Sequence, residues 1–207
     1  MPCNKKTKRC EVTNENIIKG YILPVCCRQN LMNILTALPK IMEGSHWWLD
    51  FGTLLGFYRD GRIIDCDTDI DISVLEETFN REQFFSNCKK LKFYIKEEDK
   101  TRNLIRIYYS KKNLLHTDVW IWRKRGNKIE RNISVRWNSN KYKKIPKAYL
   151  TNSVISNKYI LALDSLNIEE VDYPIPHEVE EYLELWYADW KEKVNKYDWL
   201  KQTGYMK

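Results

Sequence analysis

The chain has 207 residues, enough for one ordinary domain with a core that needs no disulfides. Hydrophobic residues make up 43% and aromatics 13%, which excludes a disordered chain, while 7 Gly and 6 Pro exclude collagen-like or low-complexity sequence. Lys and Arg number 35 against 28 Asp and Glu, a formal charge of +7 that suits anionic partners such as nucleotides, phosphorylated glycans or nucleic acid, and equally a solvated Lys-rich surface. No apolar run is long enough to span a bilayer, and no apolar stretch follows the basic start. Neither a membrane span nor a secretory signal is therefore expected, and the expected compartment defaults to the cytosol.

Residues 1–27 read as a basic, Cys-rich arm, and 28–207 as one mixed α/β domain. Cys3, Cys10, Cys26 and Cys27 lie in the arm. Four thiolates can close a tetrahedral zinc site, but this spacing is no standard finger, and two adjacent cysteines should need a sharp bend to share one ion. Spacing alone leaves zinc, disulfides and free thiols open. A helix follows, with Leu31, Ile34, Leu35 and Leu38 on one stripe and Pro39 limiting its end. His46–Phe51 reads as a strand ending at Gly52, and Thr53–Arg59 as a short helix closed by the Asp60-Gly61 turn. Ile63–Val74 reads as one or two strands. Asn80 leads a weak capping box before a helix carrying Phe84, Phe85, Cys88 and Leu91. Strands are expected at Lys92–Lys96, Asn103–Ser110 and Leu114–Trp122, and a hairpin turn at Arg125-Gly126-Asn127 leads to a strand at Asn132–Trp137. Lys141–Asp172 carries no clear pattern. Pro174 and Pro176 precede a helix with Val179, Tyr182, Leu183, Trp186 and Trp190 on one stripe. The order of elements implies a central mixed sheet flanked by helices.

The sharpest feature is Asp65-Cys66-Asp67-Thr68-Asp69-Ile70-Asp71. On a strand, Asp65, Asp67, Asp69 and Asp71 would share one face, with Ile70, Ile72 and Val74 on the other. Such anions repel unless a proton or cation intervenes. A hard divalent ion, Mg²⁺ or Mn²⁺, binds carboxylate oxygens and keeps positions for phosphate. Asp118 lies in a strand too apolar for an edge, so it needs a partner, either that same cation or a salt bridge to Arg106 or a Lys. His116 shares its face and could assist there, but reads first as a satisfied core histidine. Gly52-Thr53 opens a helix after an apolar strand, where backbone N–H groups and a hydroxyl can receive phosphate.

Trp48-Leu-Asp-Phe-Gly-Thr-Leu-Leu-Gly56-Phe-Tyr-Arg59, followed by Ile64-Asp-Cys-Asp67-Thr-Asp69-Ile-Asp71, resembles the LicD/fukutin family of the polymerase-beta-like nucleotidyltransferase superfamily. Arg106–Ser110 with Leu115–Trp120 resembles its third-carboxylate block. Asp65-Cys66 departs from the family's usual Pro-Trp. The resemblance implies a nucleotidyltransferase fold and a phosphotransferase moving a phospho-alcohol, such as ribitol phosphate or phosphocholine, from a CDP-activated donor to a glycan hydroxyl with release of CMP. It implies Asp67, Asp69, Asp71 and Asp118 as catalytic, with Asp69, Asp71 and Asp118 holding Mg²⁺ or Mn²⁺ and Asp67 serving as ligand or base. Gly52, Thr53, Arg59 and Arg106 are the implied donor contacts. A family zinc loop with similarly spaced cysteines implies structural zinc at Cys3, Cys10, Cys26 and Cys27. If the chain is an excised domain, a Golgi-type lumen replaces the cytosol. Nucleic acid is not an expected partner, and a homo-oligomer is left open. The alternatives are transfer of the nucleoside monophosphate itself, or a non-catalytic module that binds nucleic acid or glycan.

Overall fold

The computed structural model describes residues 2–10, 22–99, 103–131, 153–187 and 189–193. Helix α1 (Val25–Ile41) leads to strand β1 (Trp47–Leu49), helix α2 (Phe51–Asp60) and strand β2 (Asp69–Leu75). Helix α3 (Arg81–Lys90) precedes β3 (Tyr94–Asp99), β4 (Leu104–Tyr108), β5 (His116–Arg125) and β6 (Lys128–Arg131). After β7 (Ser153–Ser156) and the short α4 (Lys158–Leu161), the hairpin β8 (Leu163–Ile168)–β9 (Val171–Pro176) leads to α5 (Val179–Glu184). The main sheet runs β1-β2-β5-β4-β3, with β6 beside β5 and β7 beside β6. β2 and β5 are parallel, and the other pairs are antiparallel. This is the mixed sheet with flanking helices that the element order implied.

Strand alternation divides the sheet into two chemistries. One face carries Ile70, Ile72 and Val74 of β2, Val119 and Ile121 of β5, and Ile105 and Ile107 of β4, all essentially buried. Helix α1 packs there through Leu31, Ile34, Leu35 and Leu38, and Asn33 donates to the Tyr109 hydroxyl at 3.3 Å. Helix α3 joins it, the Asn87 amide donating to the Lys40 carbonyl at 2.9 Å. The opposite face carries the polar residues of β2 and β5, and α2 and α5 approach it.

Several boundaries differ from the sequence expectations. Pro39 lies inside α1, which continues to Ile41 because the Met42 N–H still reaches the Leu38 carbonyl at 2.8 Å; one missing donor near a helix end is tolerated. α1 starts at Val25, so Cys26 and Cys27 belong to its first turn rather than to an irregular arm. The acidic row is not one strand from Ile63, since β2 begins at Asp69 and Asp65-Cys66 form a turn. Pro174 and Pro176 do precede the last helix, and they lie in β9, where a two-stranded hairpin leaves their nitrogens an open edge. α5 ends at Glu184, short of Trp186 and Trp190. The strand expected at Asn132–Trp137 lies outside the described residues. Among the described residues no helix is long and apolar enough to cross a membrane.

The link from α2 to β2 is tightly packed. α2 ends on Gly61, whose φ of 67° no side chain adopts cheaply. A Cβ on Gly56 would stand 2.7 Å from the Arg62 carbonyl oxygen and 3.1 Å from the Ile64 nitrogen. These are backbone atoms and cannot rotate aside. Gly56→Ala is therefore expected to destabilise the protein by about 1–3 kcal/mol, read as a lowered urea midpoint. An unchanged midpoint would show that the loop yields freely.

Candidate active site

Asp50 closes β1 and caps α2, its Oδ1 accepting from the Phe51 N–H at 2.8 Å. Its carboxylate is wholly buried, and burial raises its pKa above the ordinary carboxylate value. Tyr182 donates to Oδ1 at 2.8 Å, and the Ser73 hydroxyl donates to Oδ2. Trp122 in turn donates to the Ser73 hydroxyl at 2.9 Å. This network ties β1, β2, β5 and α5 together. It also holds Phe51 at a φ of 44°, a costly conformation for an aromatic residue.

The next residue, Gly52, lets the acids reach the start of α2. A Cβ there would lie 2.9 Å from Asp67 Oδ2 and 3.8 Å from Asp71 Oδ2. Thr53 differs from its expected role: its hydroxyl is buried and accepts from the Asp71 N–H at 2.8 Å, fastening α2 to β2.

The parallel register sets Asp69 beside His116 and Asp71 beside Asp118. The antiparallel register of β4 sets Arg106 beside Asp118. Residues distant in sequence thus share one face. Asp71 has its pKa raised well above the usual carboxylate range, first by burial, then by the charges of Asp69 and Asp118, with Asp67 adding to them. The Trp120 indole donates to Asp71 Oδ1 at 3.1 Å and partly offsets this. Asp118 is 4% exposed and is gripped at both oxygens by Arg106, Nε at 2.7 Å and Nη2 at 3.1 Å. The pair pushes the Arg106 pKa further up. Behind Trp120, the Arg131 guanidinium stacks 4.2 Å from that ring and 4.9 Å from Phe51.

Asp65 is not part of this group. Its carboxylate binds Arg28 at 3.1 Å and Arg62 at 2.8 Å, because it sits in the turn before β2 begins. Arg59 is engaged elsewhere: it binds both oxygens of Asp60 and donates to the carbonyls of Trp190 and Glu192, each at 3.2 Å. His116 is not a core histidine, for its ring lies among the acids at a half-buried position. The less favoured of its two expected roles is thus the better supported, while the stacked Arg131 was not expected at all. The shared face of His116 and Asp118 was the available signal for that role.

A divalent cation fits this donor set. Four acids crowd together, and burial and the neighbouring charges push the Asp71 pKa well up, a cost that a shared cation relieves. A tetrahedral ion fits the arm. Cys3 Sγ lies 3.4 Å from both Cys26 and Cys27 Sγ, and Cys10 Sγ lies 3.7 Å from Cys26 Sγ. All four sulfurs fall within 4.8 Å of one another, and no cysteine is in a disulfide. Zn–S bonds of about 2.3 Å put tetrahedral sulfurs ~3.8 Å apart. The adjacent cysteines need no special bend, because the first turn of α1 turns both toward Cys3. The N–H of Cys3 helps lower the Cys26 pKa to about 7, while burial raises Cys27.

Paired strand acids beside a Gly-Thr helix start, on a mixed sheet, define a nucleotidyltransferase-fold domain. A solved structure supports the fold: lincosamide antibiotic adenylyltransferase LnuA, lincomycin-bound, matches with a TM-score of 0.50 at 15% identity over 85% of this chain and 94% of that one. The LicD/FKTN/FKRP nucleotidyltransferase-domain profile matches residues 44–178, and the chain belongs to that family. Among curated relatives, ribitol 5-phosphate transferase FKRP of Homo sapiens is 32% identical over 130 residues, and that of Mus musculus 30%, each covering 57% of this chain. The match spans only 26% of each relative's length.

Proposed function

We propose that this domain transfers ribitol phosphate, or a related polyol phosphate, from a CDP-activated donor to a glycan hydroxyl and releases CMP. The observation that carries this reading is the convergence of Asp69, Asp71 and Asp118 across the parallel β2–β5 pair. The named activity of the two relatives, ribitol 5-phosphate transfer, supports the transferred group. Asp69, Asp71 and Asp118 would hold Mg²⁺ or Mn²⁺, which supplies charge neutralisation for the pyrophosphate and the leaving CMP. Gly52 lets the donor phosphate approach the first N–H groups of α2. Arg106 fixes the Asp118 carboxylate and adds positive charge at the rim. Asp67, just ahead of β2 and against Gly52, takes the proton of the attacking hydroxyl, and the hydroxyl oxygen bonds to phosphorus as the bond to CMP breaks. Trp120 holds Asp71 in place. The four cysteines would hold a structural zinc, which would fix the arm to α1.

The pyrophosphate and cation are common to all nucleotide donors, so base choice is the test. With Mg²⁺ or Mn²⁺, CMP and CDP are expected to raise the melting temperature more than UMP, UDP, AMP or GDP. At a hundredfold excess over Kd the stabilisation is ~2.7 kcal/mol. Incubation with CDP-ribitol and an acceptor glycan should give free CMP. Nucleotide covalently on the product would instead mean nucleotidyl transfer. Equal shifts with UDP and CDP would point to a sugar-nucleotide donor, and no shift with any nucleotide to a binding module.

A further inference from the structure

A nitrogen stands among the oxygen donors of the site. We propose that His116 is a direct ligand of the catalytic cation and makes the site select Mn²⁺ or a later divalent transition ion over Mg²⁺. This rests on the cation-dependent reading above and specifies the ion.

The backbone sets the ring's orientation. His116 Nδ1 lies 3.1 Å from the Leu114 carbonyl oxygen. A carbonyl only accepts, so Nδ1 carries a proton, and Nε2 is the nitrogen turned toward the acids, free to offer its lone pair to a cation that takes the place of any proton there. A histidine that donates one nitrogen to a carbonyl is thereby oriented to ligate with the other. Nε2 lies 3.4 Å from Asp118 Oδ1 and 3.7 Å from Asp69 Oδ2. The three ligand atoms fall within 4.8 Å of one another. These separations are long for N–H···O bonds. They approach the spacing of ligands about one ion, since bonds of ~2.1 Å meeting at 90–110° put donors roughly 3.0–3.5 Å apart. The Tyr108 ring, 5.5 Å from the imidazole between centroids, supports the ring's pose.

The donor set then discriminates between ions. Mg²⁺ prefers oxygen in a strict octahedron and sheds water reluctantly. Imidazole favours transition ions, increasingly along the series from Mn²⁺ to Cu²⁺. Arg106 strengthens the bias, because its bidentate grip already neutralises much of the Asp118 charge on which a hard cation relies.

The test uses the full chain, free of nucleotide, titrated calorimetrically with Mn²⁺ or Mg²⁺; both ions are harder than those the four thiols prefer. Pulsed electron paramagnetic resonance of bound Mn²⁺ reports directly on a coordinated nitrogen. The wild type is expected to bind Mn²⁺ at least about tenfold more tightly than Mg²⁺ and to show ¹⁴N coupling. In His116→Leu and His116→Gln the coupling should vanish and the two affinities converge, mainly through loss of Mn²⁺ binding. If the variants fail to fold, the wild-type spectrum decides. Bound Mn²⁺ without nitrogen coupling, or an unchanged Mn²⁺/Mg²⁺ ratio in His116→Leu, overturns the role of His116 and leaves the cation-dependent reading standing. Failure of the wild type to bind either ion removes both.

Discussion

Asp71→Asn and Asp69→Asn are each expected to cut CMP release from CDP-ribitol by at least about a thousandfold, ~4 kcal/mol of barrier, while the fold survives. Both side chains leave the sheet on the face away from Ile70 and Ile72, so the apolar packing of β2 is untouched. The two variants should differ in stability. Burial and the neighbouring acids raise the Asp71 pKa well above the usual range. The native state therefore holds that proton more tightly than the unfolded chain. Its contribution is fully present below the unfolded value of about 3.9 and is lost as pH climbs through the raised native value. In chelator, the wild-type melting temperature should fall from pH 5 to pH 8. Asp50 contributes with the same sign and is not altered by the substitution. Asp71→Asn should flatten Asp71's part of the slope, and at pH 8 without metal it should be as stable as wild type or more so. A cation should restore the wild type and leave Asp71→Asn unmoved. Turnover above about a tenth of wild type in either variant, under ~1.4 kcal/mol of barrier, would remove that acid from the assignment.

Sequence reasoning reached the parts of this site that local periodicity controls. Asp69 and Asp71 alternate with Ile70 and Ile72, so their common face follows from the pleat alone. Asp118 was legible because an acid inside an apolar strand needs a partner, and Arg106 was already named as one. Longer-range geometry was not legible. Where β2 begins depends on a turn in which the Asp67 N–H bonds the Ile64 carbonyl at 2.9 Å and the Leu23 N–H bonds the Asp65 carbonyl. That turn removes Asp65 from the row and hands it to Arg28 and Arg62. The role of His116 depends on the parallel register with β2, and its orientation on a carbonyl two residues back. Thr53 and Gly52 look alike as a phosphate-binding pair, yet their neighbours divide them. Gly52 opens space for two carboxylates, and the Thr53 hydroxyl is taken by a backbone N–H. Arg131 sits at the end of a hairpin strand with nothing in its local pattern to announce three aromatic neighbours.

Cys26→Ser is expected to lower the melting temperature by roughly 5–11 °C. The purified wild type should carry about one zinc per chain that survives dialysis. None of residues 2–10 is fully buried. Lys5 donates to the carbonyls of Leu91 and Lys92 at 3.3 and 3.2 Å and lies 4.3 Å from the Phe93 ring centroid. Ser110 donates to the Lys5 carbonyl at 2.7 Å, and Asn30 donates to the Cys3 carbonyl at 3.1 Å. These partly exposed bonds each contribute on the order of 1 kcal/mol, too little alone to offset the ordering entropy of the arm. The cluster joins that arm to the first turn of α1, the helix whose Arg28 holds Asp65. Metal binding and ordering of such a segment are one equilibrium. Cys26 is the informative position because its thiol lies close to both Cys3 and Cys10, so its loss opens the cluster at the centre. If zinc at a hundredfold excess over Kd contributes ~2.7 kcal/mol, the quoted shift follows at about 2–4 °C per kcal/mol for a chain of this size. Hydrogen exchange should report faster exchange at residues 2–10 and at the start of α1, with β2 and β5 unchanged. Residual turnover with intact Mn²⁺ binding would place the arm's role in stability. A metal-free wild type with the same melting temperature and the same protected arm would show that four free thiols suffice to hold it.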